Sequence, residues 1–519
     1  MPVFVLDSEQ MRRADRIAIE EFAIPGVLLM EAAARGVARE AMEICPPGGR
    51  VMVLAGPGNN GGDGLAAARM LFLAGIWVEV LAARPLANYA GDSGINAQIV
   101  ARLGIPVSVF SGSDASLDPG IFTSLAESHV VVDGLLGTGV RGELRPGYRE
   151  LIRWVNEVEA SVVAVDVPTG VDPDTARVAD GAVRADVTVT FGAPKLGLLL
   201  EPGCEWVGKL VVEDIGIPAG VLRKVAGDEG VCWVQKEDVQ GRLPGRSRTG
   251  HKGTYGHVLV VGGAPGYAGA AIMASNAALR SGAGLVTCAV PEGSVATVAA
   301  SLAEAMTEIL PPGPGLGALE TKLDAADVVA LGPGLGAGEG TSGQVRELIG
   351  RAARATKRPF LVVDADGLNA VAPDLSLFDD PRWQGRVVLT PHPGEMARLL
   401  DRGIPEVLED RRGAALEAAA SANSVVVLKG APSIIASPCG RLAVNGTGNP
   451  GLATGGSGDV LTGMIAAFLG QGLDPWWAAV AGCFVHGQAA DDALEGVDAR
   501  SMLPRDVIGS ISGALRSLG

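Results

Sequence analysis

The stretch NPGLATGGSGDVLTG, residues 449–463, places five glycines and a single acid, Asp459, directly in front of an apolar helix. The first N–H groups of a helix are unpaired and carry partial positive charge, so this turn suits an anion, and its glycines allow a phosphate to reach the backbone. A carboxylate there would repel the phosphate, and we therefore expect Asp459 to act as a base toward the group that receives the phosphoryl. The alternative is a glycine-rich helix start that Asp459 merely caps.

Short β-branched segments alternate with helical segments on both sides of this turn. Examples are HVLVVGG (257–263) and SVVVLKG (424–430) in the second half, and VMVLA (51–55) and KLVVEDIG (209–216) in the first. Such alternation predicts parallel βαβ units with helices on both faces of the sheet. Ligands of these α/β folds bind at the carboxyl ends of the strands, where the glycine-rich turns lie.

The chain of 519 residues is longer than a single core usually serves, so two domains are expected. The segment IPAGVLRKVAGDEG, residues 217–230, shows no periodicity and interrupts the alternation. We therefore predict a first domain over 1–216, a linker over 217–229 and a second domain over 230–519.

The composition indicates a well-buried globular protein, with 48% hydrophobic and 19% charged residues. A net charge of −16 argues against nucleic acid or an anionic membrane as a partner. The six cysteines have no CxxC spacing, and neither a disulfide framework nor a zinc site is expected. With no signal peptide and no stretch of about 20 apolar residues, the sequence predicts a cytoplasmic protein.

The segment GPGNNGGDG, residues 56–64, contains the G-x-G-x-x-G pattern of dinucleotide-binding turns. Glu79 is placed at the end of the next strand, where an acid would bind a ribose, so a nicotinamide dehydrogenase is one interpretation. Two observations argue against a dehydrogenase. Such a turn usually has no polar side chains at its variable positions, which here are Asn59, Asn60 and Asp63, and the carboxylate of Asp63 would occupy the place of the pyrophosphate. A purely structural turn is the other alternative.

Two further strands of the first half end in acids, Asp133 and Asp166, which would emerge beside this glycine turn. Oxygen ligands that converge without histidine suit a hard cation. The alternative is that each acid caps a helix. Lys195 follows another strand; a lone lysine is usually solvated, but this one lies in an apolar run.

Residues 1–215 resemble the N-terminal domain of the NAD(P)H-hydrate epimerases. The motifs that carry the resemblance are NNGGDG (59–64), VVDGLLGTGVRGE (131–143), DVPTGVD (166–172) and FGAPKLG (191–197). The resemblance implies a Rossmann-like three-layer fold that interconverts the R and S forms of 6-hydroxylated NADH or NADPH.

The epimerase resemblance also implies site residues. The positions that match K⁺ ligands are Asn60, Asp133 and Thr169. The positions that match substrate contacts are Asn59, Asn60, Gly61, Gly62, Asp63, Gly137, Thr138, Gly139, Val140, Arg141, Gly142, Glu143 and Asp166. Asp166 and Lys195 are the candidates for proton transfer at the hydrated ring.

In the second half, polar residues again follow strands. Asp364 and Asp366 end one strand, His392 and Glu395 follow another, and Lys429 ends a third. A histidine is more often structural than functional, but His392 stands between two prolines at a strand exit and is expected to contact a ligand. Lys429 suits a nucleotide phosphate or an adenine edge.

Residues 230–519 resemble the NAD(P)H-hydrate dehydratases of the ribokinase-like superfamily. The resemblance rests on the glycine-rich segment 251–286 and on LGPGLG (331–336), DADGLNA (364–370), TPHPGE (390–395), LKG (428–430) and the opening stretch 449–463. It implies a ribokinase-like α/β domain. The positions that match contacts to the hydrated cofactor are Ala271, Gly334, His392 and Asp459. The positions that match nucleotide contacts are Lys429, Gly430, Ala431, Pro432, Ser433 and Gly458.

The implied activity is repair of hydrated nicotinamide cofactors by two fused enzymes. Asp459 would remove the proton of the ring hydroxyl, which attacks the terminal phosphoryl of ADP or ATP held with Mg²⁺, and phosphate would then leave to regenerate NADH or NADPH. The resemblance favours ADP and a homo-oligomer. The alternative is a ribokinase-like kinase for a vitamin or sugar with an N-terminal regulatory binding domain. In a third interpretation, the first half is a non-enzymatic interaction module.

Overall fold

The structure is a computed structural model that describes residues 3–110, 117–137, 144–227, 230–313, 315–336 and 339–519. The described chain divides into two compact units, Val3–Gly230 and Val231–Gly519. Among the described residues, no helix combines the length and the apolar character that crossing a bilayer requires. None of the six cysteines, all of which lie among the described residues, forms a disulfide.

The first unit contains a sheet of parallel strands. The first described element of the unit is a short strand outside this sheet, β1 (Val3–Val5). Among the described residues, the seven strands of the sheet are β2 (Arg50–Ala55), β3 (Trp77–Ala82), β4 (Val107–Val109), β5 (Val130–Gly134), β6 (Ser161–Val165), β7 (Val187–Phe191) and β8 (Lys209–Glu213). Its helices are α1 (Ser8–Glu20), α2 (Gly26–Ile44), α3 (Asn59–Leu73), α4 (Gly91–Leu103), α5 (Pro119–Ala126), α6 (Pro146–Glu157) and α7 (Ala219–Ala226). The sheet order is β4-β3-β2-β5-β6-β7-β8, and all neighbouring pairs are parallel.

Helices cover both faces of this sheet, because the residues of each strand point alternately to its two sides. In β2, Val51 and Val53 pack on the side covered by α1 to α4 and α7. Met52 and Leu54 pack on the opposite side, against α5 and α6. The predicted three-layer α/β fold of the first half is confirmed.

The segment that follows β8 is more ordered than its sequence suggests. No periodicity is predicted across 217–230, but Ala219–Ala226 form helix α7. Val221 and Val225 of this helix are buried in the core of the first unit. Their spacing of four residues, too short to register as a pattern, is the amphipathic signal of a helix of two turns.

The predicted position of Glu79 at a strand end is wrong. Strand β3 continues to Ala82, and Glu79 lies in its middle, where it accepts a hydrogen bond from Trp77 Nε1 at 3.3 Å. An acid that binds a ribose would have to lie at the carboxyl end of the strand. The dehydrogenase interpretation thereby loses the acid on which it relied.

The second unit contains a larger sheet. Its strands are β9 (Val231–Val234), β10 (His257–Val261), β11 (Leu285–Val290), β12 (Met306–Ile309), β13 (Val328–Leu331), β14 (Phe360–Val363), β15 (Val387–Leu389), β16 (Val425–Leu428), β17 (Ser433–Ala436) and β18 (Leu442–Asn445). They follow the order β9-β18-β17-β16-β15-β14-β13-β10-β11-β12. The pairs are parallel except that β17 runs antiparallel to both of its neighbours, which the prediction of parallel strands missed.

Twelve helices of the described chain belong to the second unit. They are α8 (Lys236–Val239), α9 (Ala268–Arg280), α10 (Glu292–Ser301), α11 (Leu319–Ala325), α12 (Glu339–Ala352), α13 (Ala365–Val371), α14 (Pro393–Leu399), α15 (Ile404–Glu409), α16 (Arg411–Ser421), α17 (Ser457–Gly470), α18 (Pro475–Ala493) and α19 (Pro504–Ser517). The predicted α/β alternation of the second half is confirmed.

Helix α17, which follows the glycine turn of the opening stretch, is the central helix of this unit. Its residues Val460, Met464 and Phe468 are buried in the main core together with side chains of α9, α18 and α19. A Cβ at Gly463 would lie only 2.0 Å from the carbonyl oxygen of Ala274 on α9, so glycine permits this close approach of two helices. The packing fixes where the N-terminus of α17 points.

Candidate active sites

The first unit has a cavity of about 520 Å³ at the carboxyl edge of its sheet. Its wall is formed by α1, α2, the start of α3 and the segments that follow β5, β6 and β7. The predicted site residues that line it are Asn59, Asn60, Asp63, Gly137, Asp166 and Lys195. The structure therefore brings strand ends that lie far apart in the sequence to a single cavity.

An ion pair between Asp166 and Lys195 lies in this cavity. The Nζ atom of Lys195 is 2.5 Å from Asp166 Oδ1, and the same oxygen accepts hydrogen bonds from Thr190 Oγ1 and Phe191 N at 3.1 and 3.2 Å. Asp166 has a positive φ of 64°, a conformation that costs energy for a residue other than glycine. This strain turns the carboxylate from the end of β6 toward the cavity, and the residue caps no helix.

The lysine of this pair is turned inward. Lys195 is fully buried, and its ammonium also donates to Thr190 Oγ1 at 3.0 Å and to the carbonyl oxygen of Phe191 at 3.2 Å. An ammonium group has three protons to donate, and these three bonds use all of them. Lys195 is thus placed to hold Asp166 in position, while the carboxylate, with a side chain 15% exposed, is the member that a ligand can reach.

The glycines at the start of α3 bring its backbone very close to the residue that follows β2 and to helix α4. A Cβ at Gly61 would lie 1.9 Å from the carbonyl oxygen of Gly56, and one at Gly62 would lie 2.2 Å from Ser93 Oγ. These two predicted contacts are packing positions in the described structure. Asp63 is buried, and burial, followed by the charge of Asp166, raises its pKa well above the usual range.

The three predicted K⁺ ligands meet around Leu136. Asp133 accepts hydrogen bonds from Thr169 Oγ1 at 2.7 Å and Thr169 N at 2.8 Å. Leu136 N donates to Thr169 Oγ1 at 3.1 Å, and the Asn60 amide donates to Leu136 O at 3.2 Å. Asp133 is fully buried, and burial raises its pKa to about 6, although the hydrogen bonds from Thr169 act in the opposite direction. A carboxylate, a hydroxyl and an amide oxygen are donors that fit a hard cation.

Other predicted contacts of the first half fall outside the described chain. Gly137 is described and lies against Asn60, but Thr138, Gly139, Val140, Arg141, Gly142 and Glu143 lie outside the described residues. Their predicted role remains a prediction.

Sequence reasoning missed Asp15, which also lines the cavity. Burial raises the pKa of its carboxyl to about 6, and the charges of Lys195 and Asp166 act on it. The sequence does contain a signal for Asp15. Met11 and Ile19 lie four residues before and after it on the same face of α1, so the acid interrupts an apolar stripe.

In the second unit, the N-terminus of α17 matches the geometry that the opening stretch predicts. Its first residue follows Gly456, which has a φ of 101°, and no side chain caps the helix. In the described chain, the Asp459 carboxylate has neither a hydrogen bond nor an ion pair. Burial, followed by the negative charge of Asp364, raises its pKa to about 7. Asp459 is thus an unpaired carboxyl beside free helix N–H groups, and it does not cap the helix.

A second ion pair lies next to this helix start. Lys429 Nζ is 2.7 Å from Asp364 Oδ1 and 3.7 Å from Glu395 Oε2. Asp364 is buried, and its other oxygen accepts a hydrogen bond from Thr462 Oγ1 at 2.7 Å. Burial lowers the pKa of Lys429, but these carboxylates outweigh that effect and the pKa is raised, so the ammonium stays charged. A Cβ at Gly458 would lie 3.1 Å from this Nζ, which places the lysine at the mouth of α17.

The surroundings of His392 are compatible both with a structural role as a helix cap and with contact to a ligand. Its Nδ1 accepts hydrogen bonds from Gly394 N and Glu395 N at 3.0 and 3.3 Å, which caps α14. Half of the side chain remains exposed. Burial, followed by the charge of Lys429, lowers its pKa, which favours the neutral ring. Its Nε2 lies 3.3 Å from Glu395 Oε1, so a ligand would meet the exposed part of a ring that both nitrogens already hold in place.

The structure separates the remaining predicted cofactor contacts by burial. Gly334 has a φ of 64°, and a Cβ there would lie 2.7 Å from the carbonyl oxygen of Tyr267. The loop that contains Gly334 is held by Asp366, which accepts a hydrogen bond from Gly336 N at 2.7 Å. Ala271 is fully buried on α9.

The predicted nucleotide segment, residues 429–433, depends on a residue that sequence reasoning missed. The guanidinium of Arg411 donates to the carbonyl oxygens of Pro432 at 2.6 Å and of Ala431 at 3.3 Å. Gly430 allows this approach, because a Cβ there would lie 2.3 Å from Arg411 Nη2. Arg411 begins α16, and nothing in its sequence surroundings distinguishes it from a solvated arginine.

Comparison with known proteins relates both units to a pair of families. The profile of the NAD(P)H-hydrate dehydratases matches residues 258–512, and that of the YjeF-related protein N-terminus matches residues 27–197. The chain is 40% identical over 531 residues to the bifunctional NAD(P)H-hydrate repair enzyme Nnr of Moorella thermoacetica, with 99% of this chain and 97% of that protein covered. It is 34% identical to the Nnr protein of Escherichia coli, with 98% and 94% covered.

A solved structure resembles the second unit. It is a ribokinase-like superfamily protein from Enterococcus faecalis, with 27% identity and a TM-score of 0.50. The match covers 56% of this chain and 96% of that protein. The similarity confirms the ribokinase-like fold predicted for the second half.

Proposed function

The chain belongs to the family of bifunctional NAD(P)H-hydrate repair enzymes, and on that premise we propose which of its residues carry each activity. The first unit, within residues 1–216, interconverts the R and S forms of hydrated NADH and NADPH. The second, within residues 230–519, dehydrates the S form with consumption of a nucleotide. The observation that carries this proposal is the unpaired carboxylate of Asp459, which lies beside the open N-terminus of α17 and the charged Lys429.

In the second unit, Asp459 accepts the proton of the hydroxyl on C6 of the hydrated ring. The oxygen then attacks the terminal phosphoryl group of the nucleotide, whose negative charge is stabilised by Lys429 and by the first N–H groups of α17. The lone pair of the ring nitrogen expels the resulting phosphate, and loss of a proton from C5 restores the double bond. A carboxyl with a pKa of about 7 suits this role, because a general base works best when its pKa is near the working pH.

The loop over residues 429–433 is proposed to bind the nucleotide, with ADP as the preferred donor. Mg²⁺ would neutralise the phosphate charge when it is bound with the nucleotide. Among the described residues, no cluster of three or more His, Cys, Asp or Glu side chains has the geometry of a metal site. The ion would therefore be held chiefly by phosphate oxygens and water, as Mg²⁺ commonly is.

In the first unit, Asp166 is the proposed proton-transfer group at C6, and Lys195 holds it in place. The proposed K⁺ site consists of Asn60, Asp133 and Thr169. A cation there would compensate the buried charge of Asp133 and would order the segment after β5 that leads into the cavity. Replacement of K⁺ by a large organic cation should then slow epimerisation and leave dehydration of the S form unchanged.

The activity is tested with the purified protein, a mixture of the two hydrate epimers, Mg²⁺ and either ADP or ATP. We expect the absorbance of the reduced nicotinamide to return for the whole substrate, with one phosphate released per molecule. The S form should react in a fast phase and the R form in a slower phase limited by epimerisation. Recovery of the S form alone would contradict the role of the first unit. A stable phosphorylated product would support the kinase alternative.

Two further proposals concern the assembly and the nucleotide. Light scattering should show a homo-oligomer, and a monomer at all concentrations would contradict this. Initial rates with ADP and ATP at equal concentration should favour ADP, and equal or inverted rates would remove that preference.

A further inference from the structure

Helix α1 presents a polar residue to the cavity of the first unit that the proposed function does not yet use. The cavity-lining residues of this helix are Ser8, Met11, Arg12, Asp15 and Ile19. Their spacing places them along a single side of the helix. The adjoining side, with Ala14 and Ile17, is buried in the core. Helix α1 is therefore fixed by its packing, and it holds Asp15 at the cavity wall.

Asp15 differs from most half-buried acids because its carboxyl is unpaired. It makes neither a hydrogen bond nor an ion pair with any part of the chain that the structure describes. A polar group that is withdrawn from water without a partner costs free energy, so such a group in a cavity indicates a ligand or a reaction. The charges that act on its pKa are those of the ion pair already described, Lys195, which lowers it, and Asp166, which raises it.

The chemistry at C6 requires two proton-transfer groups. Inversion of this carbon removes the hydroxyl from one face of the ring and adds water to the other. A residue that protonates the departing oxygen cannot at the same moment deprotonate the water that arrives on the opposite face. Asp166 fills one of these roles, and its partner Lys195 has no proton acceptor capacity and no free proton, since all three of its donors are bonded within the protein.

We propose, on the basis of the proposed epimerase function, that Asp15 is the second catalytic carboxyl of the first unit. In one direction, Asp15 in its acid form gives its proton to the C6 hydroxyl. The C6–O bond breaks, its electron pair leaves with water, and the ring nitrogen's lone pair forms an N1=C6 bond. Water then adds to the other face of C6, its proton passes to Asp166, and N1 regains its lone pair. In the reverse direction the two carboxyls exchange roles.

Asp63 also lines the cavity, but it is less suited to this cycle. It is 7% exposed, and burial together with the charges of Asp166 and Asp15 raises its pKa well above the usual range. These effects favour its acid form, and its side chain is less accessible to a ligand than that of the half-buried Asp15. Burial raises the pKa of Asp15 only to about 6, where both forms are populated close to neutral pH.

The test follows the two phases of cofactor recovery in the full-length protein. Asp15→Asn keeps the shape of the side chain and removes its acid. We expect the slow, epimerisation-limited phase to fall about 10²-fold or more, while the fast dehydration of the S form keeps its rate. Glu20→Gln is the matched control, since Glu20 is an exposed acid on the same helix, and it should leave both phases unchanged.

The pH profile separates a catalytic role from a structural one. In the wild-type protein, kcat/KM of the slow phase should fall as the pH rises above about 6, because Asp15 loses its proton. The other charged groups that line the cavity are Arg12, Asp63, Asp92, Asp166 and Lys195. The limb above about pH 6 should be absent in Asp15→Asn, and Asp15→Glu should restore part of the rate together with the limb.

The outcomes distinguish a failure of the proposed epimerase function from a failure of the proposed role of Asp15. If the wild-type protein never consumes the R form, the proposed epimerase function is wrong. If the wild-type protein consumes it and Asp15→Asn does so at the same rate, the role of Asp15 is overturned. A slow phase that falls while its pH profile keeps the wild-type shape, with no rescue by Asp15→Glu, would overturn it as well and indicate a structural residue.

Discussion

Both units contain a lysine–aspartate ion pair at the carboxyl ends of their strands, but the pairs are oriented in opposite ways. In the first unit, Lys195 is 0% exposed and Asp166 is 15% exposed. In the second unit, Asp364 is 2% exposed and Lys429 is 18% exposed. The first cavity therefore meets its ligand with a carboxylate, and the second site meets its ligand with an ammonium group.

This inversion explains why the two sites suit different reactions. An accessible carboxylate serves proton transfer, which is what epimerisation at C6 requires. An accessible ammonium beside a helix N-terminus serves a phosphate group, which is what a nucleotide brings. Because the aspartate of the second pair is turned inward, the base must come from elsewhere, and Asp459 is the residue that we propose for it. The same pair of residue types thus performs two roles, decided by which member is buried.

The largest expected effect comes from Asp459→Asn. The variant should lower the rate of dehydration about 10²–10⁴-fold, because it removes the general base while Lys429 and the helix N-terminus remain. Nucleotide binding, measured by equilibrium dialysis, should be retained. Glu495→Gln, an exposed acid of the same unit, is the control and should keep full activity. Full dehydration activity in Asp459→Asn would show that Asp459 is not the general base of the second unit.

The role of the accessible carboxylate is tested at the ion pair of the first unit. Asp166→Asn should lower the rate of epimerisation about 10²-fold and leave dehydration of the S form intact. Lys195→Met should slow epimerisation and also destabilise the protein by about 3–5 kcal/mol, because it leaves a largely buried carboxylate unpaired. Denaturant unfolding and the slow phase of cofactor recovery check both effects. Normal epimerisation in both variants would remove Asp166 and Lys195 from the mechanism.

The outward orientation of Lys429 is tested through nucleotide affinity. Lys429→Met should raise the Kd for the nucleotide about 10–100-fold, the value of about 1.5–3 kcal/mol expected for a hydrogen bond to a charged group. Epimerisation should not change. Isothermal calorimetry with ADP and with ATP gives the result directly, and an unaltered Kd would show that the lysine serves only its ion pair with Asp364.

The protonation state of Asp459 predicts a pH dependence. Because burial and Asp364 raise its pKa to about 7, the reactive carboxylate is lost as the pH falls below that value. The rate of dehydration should therefore drop about tenfold per pH unit below about pH 7 and level off above it. Lys429 stays charged across this range. A rate that is independent of pH, measured with the S epimer alone, would contradict Asp459 as the base.

The smallest effect on activity is expected from Thr462→Val. This change removes the hydroxyl that donates to Asp364 at 2.7 Å and leaves a buried carboxylate oxygen without its partner. The free energy of unfolding should fall by about 1–3 kcal/mol, while nucleotide affinity changes only a few-fold. A large loss of affinity with unchanged stability would mean that Asp364 touches the ligand.

The sequence predicted the strands and the residues at their ends because both follow from local patterns. Asp133, Asp166 and Lys429 stand at the ends of β-branched runs, and the carboxyl ends of parallel strands meet at one edge of a sheet. The conformation of the turn before Asp459 likewise follows from its own glycines. These predictions needed no knowledge of contacts between distant segments.

What could not be predicted depends on distant contacts. Lys195 pairs with a residue 29 positions away and Lys429 with one 65 positions away, and nothing local indicates which member of each pair is buried. Asp15 contributes to the first cavity only because α1 packs beside it. The antiparallel β17 and the position of Glu79 within β3 are likewise set by pairing with neighbouring strands.

The most direct test of the central claim, that the two oppositely oriented sites act separately, uses Asp459→Asn and pure R hydrate with ADP and Mg²⁺. Chromatography that resolves the epimers follows both products in one sample. We predict that the R form converts to the mixture of R and S at the wild-type rate while recovery of NADH is lost. Wild-type recovery of NADH in this variant, or loss of epimerisation together with dehydration, would contradict the account.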